Sequence, residues 1–288
     1  MRPIQPLAVL APELAAANPD ALRGAAEREV KQRLDLLLAG IERYRDHPYR
    51  RPSADMPVLW REGGTRLYDY RPEGGRPVLF VPSLINRGYV LDLTAERSLL
   101  RFLARRGLRP LLLEWGEPGP VERTFTLTDY VAGRLERALD AAIRAVPAPL
   151  PVVGYCMGGV LVTALAQRRP RDVRAIGLLA TPWDFHADGA GQGRRLAAAM
   201  APILPLVAAW GELPVDAIQM LFAGLDPLQV VRKFVGFAAM PEGTAKATAF
   251  VALEDWLNDG VPLAASVAAE CLAGWYGNNT PARGAWRI

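Results

Sequence analysis

The chain of 288 residues has only two cysteines, Cys156 and Cys271, and only two histidines, His47 and His186. Two thiols in so long a chain make no disulfide framework, and no Cys/His cluster has zinc spacing, so no metal site is expected. A reduced, cytoplasmic setting fits that cysteine usage. An excess of one charge is also lacking: 34 Lys and Arg stand against 30 Asp and Glu, a net of +4. The basic residues are spread along helical stretches without an aromatic-interleaved patch, which argues against nucleic acid as a partner. Nor is there a long apolar run. The longest, residues 196–210, is too short to span a bilayer and is broken by Pro202 and Pro205, so it is expected in a cap or lid, with attachment to a surface left open. Residues 1–17 carry one Arg, a short apolar patch and interrupting prolines, which is not the layout of a signal peptide. With 51% hydrophobic residues the chain can still build a substantial core, as one large α/β domain or a domain with an inserted cap.

What the sequence does contain is Gly154-Tyr155-Cys156-Met157-Gly158-Gly159, in which an apolar strand at Val152 and Val153 runs through a glycine into a helix-like stretch at residues 160–168. This is the form of a nucleophile elbow, where the nucleophile sits on a sharp strand-to-helix turn and its neighbours at −2 and +2 must be small. Gly154 and Gly158 meet that demand, with Gly159 beside them, and Cys156 stands at the nucleophile position. A thiol there is helped by the positive end of the following helix, and the N–H of Met157 would assist a developing oxyanion. A small buried cysteine in a tight turn remains the alternative. A phosphate loop fits less well, because no Lys-Ser/Thr follows the glycines as a P-loop requires.

Around this motif the chain alternates. Asn18 before Pro19 reads as a helix N-cap, and Leu22, Ala26, Val30, Leu34, Leu37 and Ile41 form a helical stripe expected to pack on the outside of the domain. Residues 58–61 and 65–70, joined by Glu62-Gly63-Gly64, read as an antiparallel hairpin. Strands at 78–81, 111–114, 151–155 and 175–180 then alternate with helices near 95–106, 129–145 and after Cys156. That order implies right-handed crossovers and a parallel sheet, with catalytic groups beyond the carboxyl ends of its strands. After residue 180 strand signals stop, and residues 181–280 read as helices broken by prolines, a cap over the sheet. The expected organisation is an N-terminal helical segment (1–55), a core (56–180), the cap (181–280) and the start of further core (281–288).

The collinear text Val81-Pro82-Ser83-Leu84-Ile85-Asn86-Arg87, Leu91-Asp92-Leu93, Leu113-Glu114-Trp115-Gly116, Asp129-Tyr130, the Cys156 elbow and Thr181-Pro182-Trp183-Asp184-Phe185 resembles the polyhydroxyalkanoate synthase family. Residues 252–256 and Trp275-Tyr276 are similar to its cap, and the short N-terminal part is similar to the small-subunit type. The resemblance implies an α/β-hydrolase-like fold with a mostly parallel sheet. It also implies acyl transfer from 3-hydroxyacyl-coenzyme A to a growing polyester, with no cofactor beyond that thioester substrate. It matches Cys156 to the acyl-accepting nucleophile, puts Leu84 or Ile85 in the loop giving a second oxyanion N–H, and gives Trp115 and Asp184 structural roles. A second synthase subunit or self-association, and a place at polyester granules, are the partners it leaves open.

The family's catalytic aspartate and histidine follow two further strands downstream of the cap, and Ile288 comes before either. His47 reads as a helix-end histidine and His186 as structural, so the base and acid are expected from a C-terminal segment or from another chain covering the edge left by residues 175–180. A thioesterase or esterase on the same scaffold, and a non-catalytic granule-associated homologue, are the competing functions. The arginine groups 101, 105, 106, 109 and 168, 169, 171, 174 are expected as solvated helix faces.

Overall fold

The computed structural model describes residues 17–52, 56–146, 149–187 and 189–288. The reading of the N-terminus as no signal peptide falls, but for Ala17, outside the described residues. Helix α1 spans Pro19–Arg45, and the Asn18 side chain accepts from the backbone N–H of Asp20 and Ala21, which caps it as its position before proline suggests. There follow β1 (Val58–Glu62), β2 (Thr65–Asp69), β3 (Arg76–Val81), α2 (Leu99–Arg105), β4 (Leu108–Glu114) and a π-helical turn, Asp129–Leu135, running into α3 (Glu136–Ala145). Next come β5 (Leu150–Tyr155), α4 (Met157–Arg168) and β6 (Val173–Leu179). The remainder is mostly helical: α5 (Ala190–Met200), α6 (Leu204–Trp210), α7 (Val215–Leu225), α8 (Gln229–Ala238), α9 (Ala245–Asn258) and α10 (Ala265–Ala269), which continues as a π-helical stretch, Glu270–Gly277.

The strands form a six-stranded sheet in the order β1-β2-β4-β3-β5-β6. β1 and β2 are antiparallel, as are β2 and β4, whereas β4, β3, β5 and β6 run parallel. The hairpin closes through Gly63 and Gly64 with Glu62 opposite Thr65, and Gly63 takes φ 55°, the left-handed conformation that such a two-residue turn requires. Leu79, Leu111, Leu113, Val152, Leu161 and Leu165 are fully buried, and each such side chain contributes about 1.5–3 kcal/mol relative to exposure. This layer brings the carboxyl ends of β3, β4 and β5 together, so that the turn after β5 and the loop after β3 lie side by side.

At the far edge, β6 keeps apolar side chains exposed: Ile176 by 40%, Leu178 by 48% and Leu179 by 37%. A strand of that composition at an edge presents unpaired backbone groups next to apolar surface. Beyond residue 180 the expectation of helices alone needs correction. Glu212–Leu213 and Leu263–Ala264 form a short antiparallel ladder, β7 and β8, too brief for any periodicity to reveal.

The chain divides into two compact units, one made of the chain through Tyr49 with Asp226–Val251 and the other of Arg50–Leu225 with Ala252–Ile288. In the first unit α1 lies against α8. A side chain at Gly40 would put its Cβ 2.2 Å from the Phe234 carbonyl oxygen, and Arg43 donates to the carbonyls of Phe237, Ala238 and Met240 at the end of α8. Only this C-terminal part of α1 is held; Leu22, Val30 and Leu34 of the expected packing stripe stay 41%, 67% and 50% exposed. The helical period is therefore real, but it does not mark a buried face along the whole helix.

Candidate active site

Cys156 occupies the turn between β5 and α4 with φ 54° and ψ −130°, a backbone conformation that costs an L-residue about 1–3 kcal/mol. The turn is held by hydrogen bonds from the Cys156 N–H to the Leu179 carbonyl (2.8 Å) and from the Gly159 N–H to the Cys156 carbonyl (2.9 Å). The three glycines serve close approach. A Cβ on Gly154 would lie 2.3 Å from the Gly159 Cα, one on Gly158 2.2 Å from the Val81 carbonyl oxygen, and one on Gly159 1.9 Å from Thr181 Oγ1. Gly158 thus seats the start of α4 directly on the end of β3.

The loop after β3 is fixed from several sides. Trp115 Nε1 donates to the Pro82 carbonyl at 3.0 Å, Trp256 Nε1 to the Arg87 carbonyl at 2.8 Å, and the Val261 N–H to the Ile85 carbonyl at 2.9 Å. Of the two candidate oxyanion donors in this loop, the Ile85 N–H is engaged by Ser83 Oγ at 3.3 Å. The Leu84 N–H has no hydrogen-bond partner among the described residues, and Ile85 contributes its side chain to the pocket wall. The Met157 N–H points at the thiol and favours its ionised form.

Cys156 lines a pocket of about 280 Å³ whose wall is almost wholly apolar, with Met157, Phe185, Leu213, Leu272, Trp275 and Tyr276 among its members. Burial in this wall pushes the Cys156 thiol above the ordinary thiol range, and the Met157 N–H only partly offsets it. Cys271 lines the same pocket, and burial drives its thiol upward as well. Tyr276 is raised to about 12, by burial first and by the two thiols second. Neither charge nor base compensates for these shifts within the pocket.

The histidines are placed elsewhere. His186 Nε2 lies 2.7 Å from the Tyr276 carbonyl, the His186 backbone N–H donates to Asp184 Oδ1 (2.9 Å), and Asn279 Nδ2 donates to the same oxygen (2.7 Å). Asp184, His186 and Asn279 thereby pin the loop after β6 to the end of the Glu270–Gly277 stretch. His47 Nδ1 accepts from the Tyr49 N–H at 3.1 Å, just past the end of α1. Neither histidine lines the Cys156 pocket.

Sequence reasoning missed two features. Glu114 at the end of β4 accepts from the Gly88 N–H (2.7 Å) and the Gly116 N–H (3.3 Å), holding both strand-end loops, and burial pushes its carboxyl upward. The arginine groups need correction in part: Arg105, Arg106, Arg171 and Arg174 are exposed as expected, but Arg101 is bidentate to Asp92 at 2.7 and 3.1 Å, and Arg109 reaches Asp69 at 2.6 Å. Arg168 and Arg169 meet Glu136 and Asp140 at 2.6 and 2.5 Å. Their carboxylate partners lie on other elements, and no local charge pattern indicates such pairs.

Residues 76–202 match the model of the alpha/beta hydrolase fold family. Sheet, crossovers and elbow define the chain as a member of that class. Within it, the chain is 30% identical over 228 residues to a poly(3-hydroxyalkanoate) polymerase subunit PhaC of Haloferax mediterranei, covering 77% of this chain and 46% of that protein. It is 30% identical over 237 residues to the protein of the same name from Synechocystis, covering 79% of this chain and 63% of that one. Over 77% and 79% of its own length, respectively, the chain resembles these polyhydroxyalkanoate synthases. It spans about half to two thirds of the length of these relatives, by the 46% and 63% just given. Among solved structures, a carboxylesterase of Nitrososphaera gargenis is 13% identical with a TM-score of 0.44, over 80% of this chain and 75% of that one.

Proposed function

We propose that the protein is a synthase-type acyltransferase, in which Cys156 takes the acyl group of a 3-hydroxyacyl-coenzyme A thioester and passes it to the hydroxyl end of a growing polyester. The observation that carries this reading is the cysteine itself, held on a strained elbow at the wall of an apolar pocket that suits an acyl chain. In the loading step the Cys156 Sγ–carbonyl bond forms, the bond to the coenzyme A sulfur breaks, and the thiol proton passes to the departing thiolate through a base. One thioester replaces another, so the step is nearly isoenergetic and the acyl group stays activated. In the second step the polyester hydroxyl attacks, an ester C–O bond forms, the Sγ–carbonyl bond breaks, and the hydroxyl proton returns to sulfur. The N–H groups of Met157 and Leu84 are the donors for the oxyanion in both steps.

Burial keeps the thiol protonated at neutral pH, and neither histidine lines its pocket. The reading therefore requires a base, and a carboxylate acting on the incoming hydroxyl, from outside the described pocket wall. A further segment or a second synthase subunit would supply them, and the work would be done in the cytoplasm at the surface of polyester granules. Among the described residues no helix is long and apolar enough to cross a membrane.

The test is incubation of the full-length protein with 3-hydroxybutyryl-coenzyme A. Insoluble polyester is the expected product, with a mass adduct on Cys156 under single turnover. Free 3-hydroxy acid as sole product would replace the synthase by a thioesterase, and no adduct with no turnover would leave a non-catalytic granule protein.

A further inference from the structure

A second pocket, of about 220 Å³, opens on the other side of the loop after β3, lined by Arg51, Arg66, Tyr68, Arg87, Glu114 and Asp259 among others. Its chemistry is opposite to that of the Cys156 pocket. Arg66 projects from β2 on the same sheet face as Tyr68 and Tyr70, and its Nε is buried without a hydrogen-bond partner among the described residues. The single side-chain bond it makes is a long one, from Nη1 to Tyr68 Oη at 3.5 Å, and no carboxylate among the described residues pairs with it. By contrast, Arg109 of β4 ends on Asp69 and Arg137 of α3 on Glu62, both at 2.6 Å, and Arg134 of the π-helical turn on Glu122 at 2.7 Å.

Arg51 is the second under-neutralised cation. Its Nε is also buried without a hydrogen-bond partner among the described residues, and its guanidinium stacks 4.2 Å from the Tyr89 ring centroid. The nearest carboxylate, Asp92 at 3.8 Å, is already bidentate to Arg101 and accepts from Tyr70 Oη at 3.0 Å. The remaining charges of the pocket are matched. Arg87 is held by Glu117 at 2.6 Å and Asp259 at 3.4 Å, and the Glu114 oxygens accept from backbone N–H groups. Two guanidinium groups therefore line one cavity without a carboxylate that answers either in full, an excess of positive charge that an anion in the cavity would offset.

We propose that this pocket binds a phosphoryl group, received by the guanidinium groups of Arg51 and Arg66 with the Tyr68 hydroxyl as a further donor. Guanidinium forks match tetrahedral oxyanions through paired N–H bonds, and tyrosine rings flank the cations without competing for them. The cavity is several times the roughly 30 Å³ that one water molecule occupies in the liquid, which gives room for a phosphate or diphosphate moiety with part of its hydration. The site involves neither Cys156 nor the apolar pocket and stands whether or not the acyltransfer reading holds.

The experiment is isothermal titration of the full-length protein with inorganic phosphate, pyrophosphate and malonate at fixed ionic strength. The expected result is saturable binding of phosphate or pyrophosphate, weakened at least tenfold in Arg66→Gln and in Arg51→Gln and retained in Arg137→Gln and Cys156→Ala. Arg66→Lys, which keeps the charge and removes the fork, should also weaken binding and guards against a folding defect in the glutamine variant. Because Arg66 makes no ion pair among the described residues, Arg66→Gln without ligand should melt no lower than the parent. Absence of saturable binding by phosphate and pyrophosphate, binding of malonate alone, or undiminished binding in both Arg66 variants would overturn the proposal.

Discussion

The two sides of this sheet are built from different materials. On the side of β5 and β6, the elbow is made by glycines, a cysteine and apolar side chains, and no charged group lines the pocket around the thiol. On the side of β1, β2 and β4, positions are set by arginines bonded to carboxylates and backbone carbonyls. Arg134 alone donates to the Glu62 carbonyl, to Thr65 Oγ1 and to Glu122 Oε1, each at 2.7 Å. Shape fixes the first side through backbone contacts that tolerate no Cβ. Charge fixes the second, where long side chains reach across elements. The difference explains the thiol: a pocket free of charge accommodates an acyl chain, and the same lack of charge leaves Cys156 without help in ionising.

The largest effect expected from breaking this contrast is on chemistry. Cys156→Ala in the full-length protein should lower acyl transfer from 3-hydroxybutyryl-coenzyme A by about 10³-fold or more while leaving the circular dichroism spectrum unchanged. Residual transfer within tenfold of the parent would remove Cys156 from the mechanism. On the charged side, Glu122→Gln leaves the 3%-exposed Arg134 with Glu62, 3.1 Å away, as its remaining carboxylate and should cost about 1–3 kcal/mol in denaturant unfolding. Shape is tested by Gly158→Ala, whose Cβ must push against the Val81 and Pro82 carbonyls. The expected cost is about 1–3 kcal/mol, with activity lost beyond what stability explains.

Two smaller effects depend on pH. Iodoacetamide should alkylate Cys156 faster as pH rises from 7 through 9, with no plateau below pH 8, because burial raises its thiol; Cys271, more deeply buried and with its thiol also raised, should react more slowly throughout. A plateau near pH 7 would reveal a base beside Cys156. Glu62 is held below its usual 4.5 by hydrogen bonds from Arg137, against burial. A depressed carboxyl contributes stability above its unfolded pKa and loses it as pH falls through the folded value, so Arg137→Gln should narrow the Tm difference between pH 6 and pH 3. With Arg137 48% and Glu62 34% exposed, that change should be worth less than about 1 kcal/mol.

Legibility in the sequence follows the same division. The elbow could be read because its geometry is local: the glycines at −2, +2 and +3 around Cys156 and the apolar run before it are contiguous, and the alternation of strands and helices follows from short-range periodicity. The charged side could not. Arg134 pairs with Glu62 and Glu122, Arg109 with Asp69, and Glu114 with Gly88, at separations no charge pattern encodes. The stripe on α1 was legible as a helix period, but burial depends on what faces it, and Val30 remains 67% exposed.

By itself the sequence determined the strand order of chemistry: a hairpin, a parallel series, a cysteine at the turn after β5, and the family text around it. These depend on neighbours within a few residues, where steric limits and side-chain period act directly. Tertiary structure alone decided which N–H beside β3 lacks a partner, that Cys156 and Cys271 share one apolar pocket, that His186 serves a loop clamp, and that Arg51 and Arg66 meet in a cavity. Each of those outcomes is a distance between elements far apart in the chain, and only the packing of the sheet sets such distances.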